Sequence, residues 1–261
     1  MAGVVPPRIR VRYTKTGRIK YTSQRDVARV FERALRRARL PVAYSEGFSP
    51  RPLLSFSLAL PTACESLAEY VDLRFDARSE TPGGLRVDER ASSDDLAQIA
   101  DLLDGLLPDG LEVVSAAVLE GSEGSLQEEV TSCSWIVEVT GMSAVELEER
   151  VASVLDAETI PVERERKGRR VSDDLRPGIL RLTVEGTGAS PGVLRLDAEL
   201  ATKPRGVRPS ELLGAIATTL RLVRVSRVAQ WTVDHDGQRH EPLTADGVLL
   251  GAVDTATVGG R

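Results

Sequence analysis

Aromatic residues fill only 4% of the 261 positions, and cysteine and histidine occur twice each. With so few rings, the core must be built from Val, Leu, Ala and Ile. The 41% hydrophobic and 28% charged composition is that of a soluble globular chain with enough apolar sequence for one large or two ordinary domains. Cys64 and Cys133 are far apart, which excludes a disulfide framework and an all-cysteine iron–sulfur cluster held by this chain. Both are expected to be buried thiols. His235 and His240 stand near Asp234, Asp236 and Glu241, but a metal centre needs further ligands in a preformed geometry, so no metal is expected. The sequence has no P-loop, no G-x-G-x-x-G, no G-x-S-x-G and no Cys/His pairing. No catalytic residue is therefore assigned, and no cofactor is expected in this chain. No apolar run approaches the ~20 residues that span a bilayer. The opening MAGVVPPRIR lacks a basic segment followed by an apolar one. The expectation is a cytoplasmic protein with no membrane partner.

What the chain does have is basic charge in one place. Residues 1–60 hold thirteen Arg or Lys against three Asp or Glu, about +10, whereas the remainder holds 21 against 36. An acidic protein of net charge −5 thus carries a concentrated basic module at its front, which points to a polyanionic partner.

Residues 8–14 (RIRVRYT) alternate in the period-2 manner of a strand, a Lys15-Thr16-Gly17 turn follows, and 18–22 reads as a short extended piece. Ser23 is an expected N-cap with Asp26 three positions on. From Gln24 to Arg39 the apolar residues Val27, Val30, Phe31, Ala34, Leu35 and Ala38 follow helical spacing, and Pro41 closes the helix. Extended segments are expected at 53–60, 70–75 and 111–119, with a helix at 94–107. The order β-α-β-β-α-β is that of a ferredoxin-like domain, two helices on one face of an antiparallel sheet.

Residues 120–129 (EGSEGSLQEE) read as an acidic linker, after which the order repeats: strand 130–140, helix 143–156, extended segments at 160–165, 179–185 and 193–200, helix 209–220 and closing strand 223–233. The expected fold is therefore α+β, with two tandem ferredoxin-like domains. The first spans 1–119, and the second spans 130–242 with an inserted hairpin. A disordered tail is expected over 243–261.

Arg25, Arg29, Arg33 and Arg37 recur at i, i+4 with Arg36 beside them, opposite the apolar stripe of the first helix. Asp26 and Glu32 are the only acids in that helix, so most of these charges have no local partner. Arg10, Arg12, Lys15, Arg18 and Lys20 adjoin them in sequence. Nucleic acid, an acidic protein surface and plain solvation are the three readings, and nucleic acid explains the unrelieved repulsion best. Tyr13 and Tyr21 sit among these cations, where a ring either stacks on a base or packs in the core. The loop Ser45–Pro52 holds Glu46, Gly47, Phe48, Pro50 and Arg51. It reads either as a binding element or as a cap in which Phe48 covers the core and Glu46 pairs with Arg51. In the second half, 164–170 (RERKGRR) is a basic cluster expected at a hairpin tip. Arg176 and Arg208 each precede a proline that stiffens the backbone presenting them. Two basic loops in one half, set against the basic helix of the other, suggest a cleft between the domains.

The stretch of residues 8–75 resembles the opening of the radical SAM-linked protein family, small proteins encoded beside, or fused to, a radical SAM protein. Its pattern is K-x-G, S-H-L-D, R-x-x-E-R-A-L-R-R-A, L-P-x-x-x-S-E-G-F-x-P-x-P and S-F-x-x-x-L-P. Here Lys15-Thr16-Gly17 matches the first piece, Arg29–Ala38 the third, Leu40–Pro52 the fourth and Ser55–Pro61 the last. Asp174-Leu175-Arg176-Pro177 and Val207-Arg208-Pro209 resemble its later D-I-R-P and L-R-P. The histidine of S-H-L-D is Gln24 in this chain and its leucine is Arg25, so no catalytic role is expected at that point. The resemblance implies association with a radical SAM protein, which would hold the cluster and S-adenosylmethionine. Together with the basic face, it points to an RNA-binding accessory protein acting on rRNA or tRNA. Two alternatives stand beside it. One is an endoribonuclease, since tandem ferredoxin-like order resembles that of the CRISPR repeat-processing endoribonucleases. The other is a protein-binding adaptor that takes no nucleic acid.

Overall fold

The structure is a computed structural model. It describes residues 7–76, 81–88, 90–119, 125–166, 168–188, 190–233, 236–243 and 248–249. The described chain is α+β and divides into two compact units. One takes the described residues up to Val130 together with those from Val233 on, and the other takes Thr131–Thr232.

In the first unit the order is β1 (Arg8–Lys15), α1 (Gln24–Arg37), β2 (Leu54–Phe56), β3 (Glu65–Arg74), α2 (Ser93–Asp104), β4 (Val113–Leu119) and a single turn α3 (Leu126–Glu129). The strands lie in the order β4-β1-β3-β2, and every neighbouring pair is antiparallel. The period-2 alternation of β1 has a direct consequence. Ile9, Val11 and Tyr13 point to the face where α1 and α2 pack, and Arg8, Arg10 and Arg12 point to the other. Val71, Leu73 and Phe75 meet Val27, Phe31, Ala34 and Leu35 of α1 and Leu96, Ile99, Ala100 and Leu103 of α2 in one core. Phe31 is its centre, edge-on to Tyr13 at 4.8 Å and to Phe56 at 5.9 Å between ring centroids.

Three boundaries differ from expectation for local reasons. Residues 18–22 are not extended. Gly17–Tyr21 form a 3-10 turn whose end is tied by the Thr22 amide to the Ile19 carbonyl. The expected strand at 53–60 shortens to Leu54–Phe56, hemmed in by Pro52 and Pro61, which cannot donate to a ladder. The last part of the expected linker is a helical turn, because Leu126 is buried; 120–124 lie outside the described residues.

The turn before Gly17 depends on a glycine in the opposite loop. Gly110 has φ +87°, its carbonyl accepts from the Thr16 amide at 2.8 Å, and a Cβ there would sit 2.3 Å from the Thr16 carbonyl oxygen. Gly110→Ala is expected to cost more than about 1 kcal/mol, since both strain and overlap oppose it. A thermal melt checks this, and an unchanged midpoint would refute it.

In the second unit the order is β5 (Ser132–Thr140), α4 (Ala144–Asp156), β6 (Pro161–Arg166), β7 (Arg169–Asp174), β8 (Ile179–Thr187), β9 (Leu194–Ala201), α5 (Pro209–Ile216) and β10 (Arg221–Val233). The main strands run β10-β5-β9-β8, again antiparallel throughout, while β6 and β7 form a separate hairpin. α4 packs on β8 and α5. The remaining short strands, β11 (Arg239–His240) and β12 (Val248–Leu249), belong to the first unit, where β12 pairs with the outer edge of β4. Of the expected tail, 244–247 and 250–261 lie outside the described residues. Among the described residues, no helix is long and apolar enough to cross a membrane.

Candidate nucleic-acid interface

The basic residues of the first unit divide into two groups by where the backbone places them. Arg10 and Arg12 of β1 face the polar side of the sheet and are engaged there. The Arg10 guanidinium forms a two-pronged pair with Asp72, Nε to Oδ1 at 2.7 Å and the second nitrogen to Oδ2 at 3.0 Å, and both side chains are 3% exposed. Its remaining nitrogen donates to the Pro242 carbonyl at 2.9 Å. Arg12 pairs with Glu241 at 2.8 Å and lies over the Tyr70 ring. Burial pushes the Tyr70 phenol well above its usual pKa. Lys15 is buried and donates through Nζ to the Thr22 carbonyl at 2.7 Å. Lys20 is held by Glu65 at 3.3 Å. Arg10, Arg12 and Lys15, expected on a binding surface, are thus each held by contacts within the first unit. Strand alternation puts Arg10 and Arg12 on the sheet face that Glu241 and Pro242 cover, whereas Lys15 follows a register irregularity and is held by the Thr22 carbonyl instead.

The helix group is different. Arg25, Arg29, Arg33, Arg36 and Arg37 are all exposed along α1, with Arg18 exposed just before it and Arg51 after it. Arg29 pairs with Asp26 at 2.9 Å. Among the described residues, no carboxylate lies within ion-pair distance of Arg33, Arg36, Arg37, Arg18 or Arg51. Successive members of the i, i+4 row rise about 6 Å along the axis. Arg33 and Arg37 also edge a groove of about 430 Å³ floored by Val30, Leu106, Leu107 and Pro108. A row of regularly stepped, exposed guanidiniums is suited to the repeating phosphates of a nucleic acid.

The helix start is firmly fixed. The Ser23 hydroxyl accepts from the Asp26 amide at 3.2 Å and donates to the Asp26 carboxylate at 2.7 Å. That hydrogen bond first, and Arg29 and Arg25 after it, hold the Asp26 carboxyl below the ordinary aspartate range. Because the folded-state pKa lies below the unfolded one, this contribution is complete above the unfolded pKa and is lost as pH falls through the lowered value. Ser23→Ala should move the Asp26 pKa back upward and speed amide exchange in the first turn of α1. An NMR titration with hydrogen exchange reads both, and an unmoved Asp26 would refute it.

The loop from Ser45 to Pro52 is closed by its own backbone. The Ser45 amide donates to the Arg51 carbonyl at 2.8 Å, the Arg51 amide to the Ser45 hydroxyl at 3.1 Å, and Tyr44 bridges Pro52. Gly47, at φ +122°, turns the tip, where Glu46, Phe48 and Pro50 face solvent. Phe48 is fully exposed, so it does not cap the core, and no Glu46–Arg51 ion pair occurs among the described residues. Tyr44 is half-exposed beside it. The two tyrosines of the basic region separate in the same way. Tyr13 is buried against Phe31, whereas Tyr21 is 65% exposed with Lys20 Nζ 5.5 Å from its ring centroid.

In the second unit the expected contacts are mostly structural. Arg176 donates to the Leu155 carbonyl at 2.9 Å and the Ile179 carbonyl at 3.1 Å, closing the C-terminal end of α4. Asp174 accepts from the Ile160 and Arg176 amides, and Leu175 is fully buried, so Asp174-Leu175-Arg176-Pro177 is a clamp between α4 and β8. Arg176, expected on the binding surface, is thus engaged within the second unit. The basic cluster 164–170 does fall on the β6–β7 hairpin, where Arg164 pairs with Asp173. Lys167 and the side chains of 165, 166 and 169 lie outside the described residues. Arg208 is exposed at the start of α5, its amide held by Glu211 at 2.9 Å. His235 lies outside the described residues, and among those described no three metal-ligating side chains gather.

A family model for an uncharacterized protein conserved in bacteria, DUF2344, matches residues 8–209. The chain belongs to that family. The match takes in α1, the Ser45–Pro52 loop and the Asp174–Pro177 clamp, and it stops at the first residue of α5. No curated protein matches the DUF2344 chain.

Proposed function

We propose that this DUF2344 chain is a non-catalytic RNA-binding accessory protein that acts in the cytoplasm with a radical SAM enzyme on rRNA or tRNA. The observation that carries the reading is the exposed row Arg29, Arg33, Arg36 and Arg37 on α1, in a chain whose net charge is otherwise acidic. Such a row attracts a polyanion in any register and tracks a phosphate backbone. The cluster and S-adenosylmethionine belong to the partner, and the motifs from Lys15 to Pro61 are what suggest that partner. The fold reading in the proposal is two tandem ferredoxin-like domains. It is supported by the twice-repeated antiparallel strand order, β4-β1-β3-β2 and then β10-β5-β9-β8.

Ultraviolet crosslinking of the purified chain in cell extract, followed by sequencing of the recovered RNA, tests the function. The expected result is an enriched set of rRNA or tRNA fragments, uncut at the crosslinked position. Defined cleavage products would favour the endoribonuclease. Absence of RNA with recovery of a protein partner after nuclease treatment would favour the adaptor. Co-purification tests the partner separately.

A further inference from the structure

We propose that the RNA segment bound along α1 is unpaired, and that one of its bases stacks on the exposed ring of Tyr21. This rests on the RNA-binding reading and names the substrate class for the same surface.

Tyr21 ends the 3-10 turn that leads into α1, and its placement is fixed from several sides. The Lys20 carbonyl accepts from the Ala63 amide at 3.0 Å, the Thr22 amide is tied to Ile19, and Lys15 holds the Thr22 carbonyl. The platform is therefore preorganised rather than a side chain on a loose loop. The ring is 65% exposed, an unfavourable place for a large amphipathic side chain unless a partner covers it. Lys20 lies over the ring at 5.5 Å and is itself anchored by Glu65, so its ammonium stays beside the stacking site and the phosphates that flank it. Arg18 and Arg25 are exposed on either side in sequence. A base needs an exposed aromatic ring and nearby cations for its phosphates, and both are present here.

A second exposed ring follows α1 in sequence. After Arg36 and Arg37 the chain runs into the closed Ser45–Arg51 loop, whose tip presents Phe48. The fourteen residues of α1 span about 21 Å, long enough to track several successive phosphates. Exposed rings before and after a basic helix suit a single strand whose bases are splayed out. A duplex hides its base faces and would use the arginines alone.

The test is binding of a fluorescein-labelled eight-nucleotide single-stranded RNA, the same RNA annealed to its complement, and an abasic oligonucleotide of equal length. Each is measured with the full chain, Tyr21→Ala, Tyr21→Phe and an Arg33→Ala/Arg37→Ala variant. The expected result is preference for the single strand, a loss of about five- to a hundredfold in Tyr21→Ala, and retention in Tyr21→Phe. Tyr21→Ala should keep the salt dependence, and the abasic oligonucleotide should not distinguish it from the parent. Equal binding of duplex and single strand, with Tyr21→Ala unaffected and Arg33→Ala/Arg37→Ala weakened, overturns stacking but leaves RNA binding standing. No binding of any oligonucleotide at low salt overturns both.

Discussion

A chain with Arg29, Arg33, Arg36 and Arg37 all replaced by alanine should lose most of the salt dependence of RNA binding while melting at the same temperature. Each phosphate contact to a single strand adds about −0.7 to the slope of log K against log salt. Four contacts give about −2.8, so raising salt from 50 to 200 mM should weaken the parent about fiftyfold. The four-alanine chain should show that slope flattened by nearly the whole amount. Stability should hold because the four side chains are exposed, alanine is the best helix former, and like-charge repulsion is relieved. Fluorescence anisotropy at four salt concentrations reads the slope, and circular dichroism reads the fold. An unchanged slope would place the interface elsewhere.

The helix was legible in the sequence because two periodicities coincide in it. The apolar residues Val27, Phe31, Ala34 and Leu35 fix the buried stripe, which leaves Arg29, Arg33, Arg36 and Arg37 nowhere to point but outward. The Ser23 cap was legible for a similar reason, since its chemistry is local. The β1 cations were not. Alternation says that Arg8, Arg10 and Arg12 share a face, but whether that face is wet depends on residues more than two hundred positions later. Glu241 and Pro242 are what close it.

The same distinction between local and distant information runs through the second half of the chain. An Arg-Pro pair reads as a presented arginine, yet Arg176 turns back to the Leu155 carbonyl near the end of α4 because Asp174 pins the preceding turn. The signal that was available is the acid two residues before the arginine, an arrangement that can hold the turn backbone in place. In the loop Ser45–Pro52, composition left a binding element and a core cap both open, with Phe48 undecided between core and solvent. Its exposure follows from the short closure between Ser45 and Arg51, which leaves the intervening residues no route back to the core. The DUF2344 match therefore spans residues of two kinds, some that hold the fold and some that the fold holds out to solvent.

The pair Arg10–Asp72 separates these kinds by experiment. Asp72→Ala should destabilise the first unit by about 3–5 kcal/mol, because it removes the carboxylate from a guanidinium that remains 3% exposed. For a chain of this size that is a fall of about 6–20 °C in midpoint. Replacing both partners, as Arg10→Met with Asp72→Leu, should recover most of the loss, since two buried charges then no longer need to be desolvated. The double variant should also bind RNA with the parent's salt slope, because the α1 arginines are untouched. If Arg10 were instead a phosphate contact, the double variant would fold well and yet lose about 0.7 from that slope. A melt and a salt titration on the same three proteins decide between the two roles. Recovery of stability together with an unchanged slope is the outcome that the buried, two-pronged geometry requires.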